Sequence, residues 1–248
     1  MSLALEWQIA TVSSIRPETS KVKSFTLRLP NWKAHRAGQH YDIRLTAADG
    51  YQAQRSYSIA SEPERTGEVD LTVERIEEGE VSSYLHDVVV PGDQVEVRGP
   101  IGGYFVWEKP MGGPLLLIAG GSGVVPLMAM VRHRASTAAH IPTRLLYSSR
   151  APEDAIYREE LDLRAGDQSG FGVYYTFTRS RPPRWTGYAR RIDAEMLQEV
   201  AQPLGARPLV FLCGPTLLVE SAASLLVEIG VAADRIRTER FGPTGGKA

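Results

Sequence analysis

The N-terminal part of the chain alternates apolar and polar residues over short segments, which lie at 24–29, 41–45, 69–74 and 94–98. Because successive side chains of a β-strand point to opposite faces, this alternation predicts strands with one buried face. Turn-forming residues separate the segments, at 49–50, 78–79, 91–93 and 99–103. Short strands at close spacing predict an antiparallel β-barrel or sandwich over residues 1–108. One helix is predicted within it, with Ser82 as its N-cap.

Beyond residue 114 the pattern changes to continuous apolar segments that alternate with amphipathic ones. The apolar segments predict strands at 114–120, 143–149, 172–178, 208–214 and 235–239. Helices are predicted between them, at 126–134, 153–163, 193–200 and 216–229. Buried strands that alternate with helices predict a parallel sheet covered on both faces. The Pro- and Gly-rich segment 109–114 is the predicted linker, so we expect two domains, 1–108 and 115–248.

Composition narrows the range of functions. The 248 residues are 43% hydrophobic and 23% charged, and the net charge is -1. Most nucleic-acid-binding proteins carry a basic excess, which this chain lacks. Cys213 is the only cysteine, so this chain alone forms no intrachain disulfide and holds no iron–sulfur cluster. The histidines lack the spacing of metal ligands. Without a signal-peptide pattern or an apolar run of about 18 residues, we expect a cytoplasmic protein that is not inserted in a membrane.

The segment LLLIAGGSGVVPLMAM, residues 115–130, predicts a strand, a glycine turn and a helix. Glycines at 120, 121 and 123 allow a pyrophosphate to come close, and the start of the following helix attracts anions. Pro126 stands where a dinucleotide fingerprint has its third glycine, but proline is acceptable near a helix start. The turn lacks the lysine of a P-loop and the last glycine of a nucleophile elbow. It predicts either a nucleotide-phosphate site or a plain strand-to-helix turn.

Hydroxyl groups and arginines follow two of the predicted strands. The strand at 143–149 ends with Ser149 and Arg150, and the strand at 172–178 ends with Thr178 and Arg179. No carboxylate stands among the arginines of the next segment, which are at 179, 181, 184, 190 and 191. Such donors suit a dianionic 2′-phosphate, which favours NADPH over NADH as the cofactor, with Arg184 as a further phosphate ligand. The alternative is a solvated basic surface.

Several motifs stand in one order along nearly the whole chain: RSYS at 55–58, GEVSSYL at 79–85, GDQVEVRGPIGGYF at 92–105, GGSGVVP at 120–126, CGP at 213–215 and ERF at 239–241. In this order they resemble the ferredoxin–NADP(+) reductase superfamily. The resemblance implies an N-terminal FAD-binding barrel and a C-terminal NADP-binding α/β domain, with the active site between them.

On the FAD side, the resemblance implies that Arg55 pairs with the flavin pyrophosphate and that Tyr57 packs against the isoalloxazine ring. Ser58 would form a hydrogen bond near flavin N5, and Ser56 of the same motif is also implied in FAD binding. The other implied contacts come from the backbone of Val73 and Glu74, from the helix start at Gly79, Val81 and Ser82, and from the aromatic ring of Phe241.

On the NADP side, the resemblance implies that Cys213 lies beside nicotinamide C4 and that Glu239 supports hydride transfer and proton movement. The other NADP-binding positions that it implies are in the two turns: Gly121, Ser122, Gly123, Pro126, Gly214 and Pro215. Plant-type members of the superfamily end at the aromatic residue that matches Phe241, whereas this chain continues to residue 248. The role of this tail stays open.

The resemblance thus implies a flavin-dependent oxidoreductase that passes a hydride from NADPH to FAD and then electrons to a separate acceptor. Because the chain has one cysteine, any iron–sulfur cluster belongs to a partner, and a ferredoxin is the leading candidate. Two alternatives stay open. One is an NAD(P)H-dependent reductase of free flavin, quinone or another small molecule. The other is a non-catalytic flavin-binding subunit of a larger complex.

Overall fold

The structure is a computed structural model that describes residues 5–167, 170–205 and 207–242. The chain divides into two compact units. The N-terminal unit comprises the chain up to Trp107 together with Met128–His133, and the C-terminal unit comprises the other residues from Glu108 onward. Residues 128–133 therefore group with the N-terminal unit, although they follow the predicted linker in the sequence.

The sheet of the N-terminal unit has six antiparallel strands in the order β4-β3-β6-β1-β2-β5. The strands are β1 (Gln8–Thr19), β2 (Val22–Arg28), β3 (His40–Thr46), β4 (Gln52–Ser58), β5 (Glu68–Glu74) and β6 (Gln94–Ile101). A bridge between Ile59 and Leu71 joins the two ends of this order. The sheet therefore closes on itself, as a barrel does to remove its free edges. The predicted antiparallel barrel is confirmed.

The alternating apolar residues fill the barrel, and the largest of them are at most 1% exposed: Phe25, Leu27, Tyr41, Ile43 and Leu71. The sequence pattern did not predict β1. The register of β1 against β2 shifts between Val12 and Ser14, and again between Pro17 and Thr19. Each shift interrupts the alternation of inward and outward side chains on which the prediction of a strand depends.

Helix α1 (Glu80–Asp87) follows β5 and has Gly79 as its N-cap, so the prediction of Ser82 as the N-cap is wrong. The Ser82 hydroxyl accepts a hydrogen bond from the Ile76 N–H at 3.1 Å and donates to the Gly79 carbonyl at 3.4 Å. It therefore ties down the loop before the helix. Residues 99–101, predicted as part of a turn, are instead the last residues of β6.

The sheet of the C-terminal unit has five strands in the order β11-β10-β7-β8-β9. The strands are β7 (Leu115–Gly120), β8 (Thr143–Ser149), β9 (Phe171–Phe177), β10 (Leu209–Pro215) and β11 (Ile236–Phe241). All neighbouring pairs are parallel, which confirms the prediction. Every residue of β7 is buried, as expected for a strand in a sheet that is covered on both faces.

The helices of the C-terminal unit are α2 (Val124–Thr137), α3 (Arg158–Gly166), α4 (Ala194–Ala201) and α5 (Thr216–Glu228). The predicted helix 153–163 differs from the structure, because Pro152–Asp154 forms a separate 3-10 turn and α3 begins only at Arg158. Tyr157 has a φ of 60°, which a continuous right-handed helix does not allow. None of the helices in the described ranges is long and apolar enough to cross a membrane.

Candidate functional site

The order of the parallel strands reverses between β7 and β10. From β7 the chain passes to β8 and β9 on one side of the sheet, and β10 and β11 lie on the other side. Ligands of open parallel sheets bind beyond the carboxyl ends of the strands at such a reversal. The glycine turn after β7 and the Cys213-Gly214-Pro215 segment at the end of β10 both lie at this position.

The two turns pack backbone against backbone. A Cβ atom on Gly123 would overlap the carbonyl of Cys213, and one on Gly214 would lie 3.1 Å from the nitrogen of Gly120. Gly123 therefore requires glycine for packing, independently of any ligand, and the contact at Gly214 is tight. Gly121 is different, because its φ of 54° favours glycine while no atom lies within 4 Å of the place that a Cβ would take. The turn is open to a ligand at Gly121.

Helix α2 begins directly after this turn and has no side-chain cap. Gly121–Gly123 forms a short 3-10 turn, and the Val124 N–H bonds back to the carbonyls of Gly121 and Ser122. Pro126 is the third residue of the helix, where a missing N–H removes no intrahelical hydrogen bond. The start of α2 can therefore offer its positive dipole end to an anion.

Cys213 and Glu239 are neighbours across the pairing of β10 with β11. Cys213 is 2% exposed, and burial raises the pKa of its thiol well above the ordinary value. Glu239 is partly buried, and burial raises the pKa of its carboxyl from 4.5 to about 7. Near neutral pH the thiol is therefore protonated, whereas the carboxyl can gain or lose a proton.

Thr216 was not predicted as a site residue, although the structure places it at the same edge. It is the first residue of α5 and follows Pro215. Its buried Oγ1 has no hydrogen-bond partner in the described part of the chain, as a hydroxyl would if its partner were a ligand or water. The signal in the sequence is a hydroxyl residue at a predicted helix start directly after the CGP motif.

Phe241 is the last residue of β11, where it pairs with Pro215 and is 37% exposed. Residues 243–248 of the tail, whose role the sequence left open, lie outside the described residues.

Hydrogen bonds join the ends of β8 and β9. The N–H and the hydroxyl of Thr178 both donate to the Ser149 carbonyl, at 3.0 and 3.3 Å. The Arg179 N–H donates to the Arg150 carbonyl at 2.9 Å. The buried Ser149 hydroxyl donates to the Ala151 carbonyl at 2.9 Å, so its proton is engaged within its own loop. The structure thus brings four of the residues predicted for a 2′-phosphate to one place.

The side chains of Arg150, Arg179 and Arg184 are exposed, and none forms an ion pair with another described residue. Arg190, which the sequence grouped with them, pairs with Asp193 and Glu195 just after it. The guanidinium groups of Arg150 and Arg179 at the strand ends therefore stay available for an anion, whereas that of Arg190 is neutralised by its neighbours.

In the N-terminal unit, strand β4 carries the Arg-Ser-Tyr-Ser motif. Arg55 is exposed, and among the described residues its side chain bonds to the Gln54 carbonyl alone, through Nη1 at 2.7 Å. The Ser56 hydroxyl donates to Asp42 at 2.6 Å, so it is engaged within the barrel. Tyr57 is partly buried against the barrel core, and burial raises the pKa of its hydroxyl to about 12. Ser58 is partly exposed and its hydroxyl bonds to none of the described residues.

The start of helix α1 has no side-chain cap. The amide groups of Glu80, Val81 and Ser82 form no hydrogen bond with the residues that the structure describes, whereas Ser83 N–H already bonds to the Gly79 carbonyl. Orphan amides at a helix start are ready donors for an anion.

Strand β5 supplies Val73 and Glu74. Val73 is buried and its carbonyl accepts a hydrogen bond from His86 Nε2 at 2.9 Å, so one lone pair of that carbonyl is already used. Glu74 is partly exposed.

Two family models match the chain. The oxidoreductase FAD-binding domain matches residues 10–106, and the oxidoreductase NAD-binding domain matches residues 117–224. A protein named ferredoxin--NADP reductase B from Sorangium cellulosum is 34% identical over 242 residues, which cover 94% of this chain and 96% of that protein. The glycine betaine monooxygenase reductase subunit of Pseudomonas aeruginosa is 32% identical over 208 residues, or 84% of this chain. The match spans only 56% of that subunit's length.

Among solved structures, the flavohem-like FAD/NAD-binding domain of a nitric oxide dioxygenase from Vibrio cholerae superposes with a TM-score of 0.83. It is 25% identical in sequence, and the match covers 95% of this chain and 99% of that domain. The described fold therefore agrees with both family models over their two matched ranges.

Proposed function

The chain belongs to the ferredoxin–NADP(+) reductase superfamily, and from that premise we propose that it passes a hydride from NADPH to FAD and electrons onward to a separate ferredoxin-type iron–sulfur protein. It is an oxidoreductase that binds FAD and a pyridine nucleotide. The observation that carries the proposal is one uncapped helix start in each unit, α1 near the barrel strands and α2 beside Gly121. Each is a site for a cofactor phosphate.

The residues at the first site fit the diphosphate of FAD. The unpaired amides of Glu80, Val81 and Ser82 supply donors, and Gly79 leaves the helix start without a competing side-chain cap. The free face of the Arg55 guanidinium supplies a positive charge. Charge-assisted hydrogen bonds of this kind are about twice as strong as neutral ones.

FAD, when bound, supplies the redox chemistry, because a flavin takes up two electrons with a hydride and can release them one at a time. The chain positions this group. Tyr57 offers a neutral ring fixed against the barrel core, and the Ser58 hydroxyl is free to donate a hydrogen bond. The backbone of Val73 and Glu74 completes the contacts proposed within the N-terminal unit.

The residues at the second site fit a pyridine nucleotide. The open side of Gly121 and the start of α2 receive its diphosphate, while Pro215 and Thr216 flank the other turn. The neutral thiol of Cys213 places no charge beside the nicotinamide. Next to it, the Glu239 carboxyl can hold a proton or release one near neutral pH.

The choice of NADPH rests on Arg150, Arg179 and Arg184, which are exposed and unpaired among the described residues. A 2′-phosphate would bring these guanidinium groups the anion that the protein itself does not provide. The hydrogen bonds between the ends of β8 and β9 keep Arg150 and Arg179 next to each other without a ligand.

The choice of a separate acceptor rests on the relatives. One is named a ferredoxin--NADP reductase, and others are named reductase subunits or components of oxygenases. This chain has a single cysteine, so an iron–sulfur cluster must be held by another protein or segment.

An anaerobic titration tests the proposal. The purified chain is loaded with FAD, and NADPH or NADH is added while the visible flavin spectrum is recorded. We expect NADPH to bleach the flavin rapidly and NADH to do so more slowly. A ferredoxin added next should recover the oxidised spectrum.

The other outcomes contradict the proposal in whole or in part. A protein that takes up no FAD contradicts the whole proposal, and bound FAD that neither nucleotide bleaches indicates a non-catalytic subunit. Preference for NADH contradicts the arginine site alone. If free flavin or quinone is reduced rapidly and ferredoxin does not reoxidise the bound flavin, the chain is a reductase of small molecules.

A further inference from the structure

The arginine loop, residues 179–188, leaves strand β9 and returns to the same end of it. At the start of the loop, the Arg179 N–H donates to the Arg150 carbonyl at 2.9 Å. At its end, the Tyr188 carbonyl accepts a hydrogen bond from the Phe177 N–H at 3.2 Å. Both ends of the loop are therefore fixed at the carboxyl end of β9.

Trp185 attaches the middle of the arginine loop to the same strand end. Its ring centroid lies 4.7 Å from that of Phe177, the last residue of β9, which is 2% exposed. Its indole N–H donates to the Tyr188 carbonyl at 2.9 Å. A Cβ atom on Gly187 would overlap the Trp185 ring, so glycine leaves the room that the ring occupies. The loop is therefore held by its own aromatic side chain without a ligand.

The residue before Trp185 has an unusual backbone conformation. The Trp185 N–H donates to the Pro182 carbonyl at 3.2 Å, which closes a turn with Pro183 and Arg184 at its centre. Arg184 has a φ of 64°, as the third residue of a type II turn does, and this conformation favours glycine. The backbone of the turn therefore disfavours an arginine at this position.

The side chain of Arg184 does not offset this strain within the protein. It is exposed and forms no hydrogen bond or ion pair with a described residue. Strained residues persist where the surrounding structure fixes them, and they are frequent at ligand sites. Trp185 fixes this one, because it is the next residue and its ring is anchored on Phe177. Arg184 thus lies near the same end of β9 as Arg179, with a free guanidinium.

We propose that Trp185 is a positioning residue, which holds Arg184 in place for the 2′-phosphate of NADPH and so increases the selectivity for NADPH over NADH. The inference rests on the proposed function, which assigns Arg184 to that phosphate. It adds that the backbone of Arg184 is fixed before the nucleotide binds. A loop that is already ordered loses less conformational entropy on binding, so more of the attraction to the phosphate appears as affinity.

The test measures the Kd values of NADP+ and NAD+ for the FAD-loaded full chain by isothermal titration calorimetry, which needs no turnover. Selectivity is the Kd of NAD+ divided by the Kd of NADP+. Trp185→Phe keeps an aromatic ring beside Phe177 but loses the indole N–H. We expect it to lower selectivity about threefold, within the range of one net hydrogen bond. Trp185→Ala also loses the ring contact, and we expect a fall of about tenfold.

Trp32→Phe is the matched control. Trp32 is partly buried in the N-terminal unit, and its indole nitrogen has no hydrogen-bond partner in the described part of the chain. This change should leave selectivity unchanged. Unchanged selectivity in Trp185→Ala overturns the inference. So does an equal loss of affinity for both nucleotides, because Trp185 would then act on the part that the two nucleotides share.

A double-mutant cycle distinguishes positioning from general damage to the loop. If Trp185 acts through Arg184, Trp185→Ala should lower selectivity in the unmodified chain but not further in Arg184→Ala. Losses of selectivity that add in the double variant overturn the inference. Thermal unfolding checks that each variant is folded.

The melting temperature tests the strained turn. Arg184→Gly removes the side chain from a left-handed position, so we expect a higher melting temperature together with lower selectivity. Arg181→Gly is the control, because Arg181 is an exposed arginine of the same loop without a positive φ. Glycine should lower the melting temperature there. If Arg184→Gly lowers it as much as Arg181→Gly does, the turn is not strained and the inference is overturned.

Arg179→Ala separates this inference from the proposed function. If Arg179→Ala and Arg184→Ala lower selectivity but the Trp185 variants do not, the 2′-phosphate site stands and Trp185 has no part in it. If neither arginine variant lowers selectivity, the 2′-phosphate site itself is wrong.

Discussion

Among single residues, Glu239 has the clearest pH dependence. Burial raises the pKa of its carboxyl from 4.5 to about 7, so between these values the folded protein keeps a proton that the unfolded chain has lost. Stability from this group is therefore complete below pH 4.5 and is lost as the pH rises through 7. We expect Glu239→Gln to remove this loss, so that its melting temperature relative to the unmodified protein increases from pH 5 to pH 8.

At pH 8, Glu239→Gln should raise the free energy of unfolding by at most about 3 kcal/mol, and the gain should be smaller than this because the side chain is partly exposed. The control is Glu220→Gln, at an exposed glutamate on helix α5. Thermal unfolding at several pH values measures the difference. A gap between Glu239→Gln and the unmodified protein that stays constant with pH would show that the carboxyl is not protonated near neutral pH.

Arg179 permits a second test at the residue scale. Its guanidinium is exposed at the end of β9, next to Arg150. We expect Arg179→Ala to raise the KM for NADPH about tenfold, which is the value of one charge-assisted hydrogen bond, and to leave the KM for NADH nearly unchanged. Steady-state kinetics with both nucleotides measures this. Arg191→Ala, at an exposed arginine of the same segment, is the control, and equal effects of Arg179→Ala on both nucleotides contradict a 2′-phosphate role.

Single residues also show what the sequence could and could not predict. Arg55 and Cys213 were named from local motifs, and the structure places Arg55 exposed on β4 and Cys213 near the carboxyl end of β10. Tyr51 and Glu80 stand 29 residues apart and meet only because the barrel brings β4 beside α1. A sequence motif contains residues that are close together in the chain, so a motif search could not find this pair.

At the scale of elements, continuous apolar segments were the most reliable signal. Strand β7, Leu115–Gly120, begins one residue after the predicted start at 114 and ends where predicted, because a strand buried on both faces is apolar at nearly every position. The register shifts in β1 interrupt its alternation of inward and outward side chains, so the sequence pattern did not predict this strand. Helix α1 was found but its start was misplaced, since a Ser82 hydroxyl bonded to the preceding loop cannot be told from a capping serine in the sequence.

The turn between β7 and α2 gives a prediction at the same scale. Gly123→Ala would force a Cβ into the carbonyl of Cys213, so we expect a loss of about 3 kcal/mol or more in the free energy of unfolding. Gly121→Ala has open space but a φ of 54°, so it should cost about 1–2 kcal/mol. Urea unfolding measures both.

Gly166→Ala is the control for these variants. Gly166 is the last residue of α3, and no atom lies within 4 Å of the place that its Cβ would take. Alanine is the better helix former, so this change should not destabilise the protein. A larger loss for Gly121→Ala than for Gly123→Ala would contradict the assignment of Gly123 to packing and Gly121 to the ligand.

For the whole molecule, the change of hydrophobic period near residue 108 predicted a barrel followed by a parallel sheet, and both are found. The sequence could not predict that residues 128–133, in the middle of α2, group with the N-terminal unit. Arg132 is buried and donates to the Ala60 carbonyl at 2.8 Å, a contact 72 residues apart in the chain. Helical periodicity predicts which residues of α2 are apolar but not which unit they belong to.

Cofactor binding should appear in the stability of the whole chain. A ligand that binds only the folded protein stabilises it by about 2.7 kcal/mol when its free concentration is 100 times its Kd. Adding FAD to the flavin-free protein should therefore raise the melting temperature with increasing FAD concentration. In Arg55→Ala the same rise in melting temperature should need about 10 to 100 times more FAD. This factor corresponds to the loss of one hydrogen bond to a charged group.

Arg28→Ala is the control for that substitution, because Arg28 is an exposed arginine of the same barrel whose ion pair with Glu68 is long, at 3.7 Å. Without flavin, both variants should melt close to the unmodified protein, since the one bond of the Arg55 side chain to a described residue is to the Gln54 carbonyl. The difference between them should thus arise only with FAD. Equal FAD dependence in Arg55→Ala and Arg28→Ala would remove Arg55 from the flavin site, while a rise with FAD in either would still place the flavin on the folded chain.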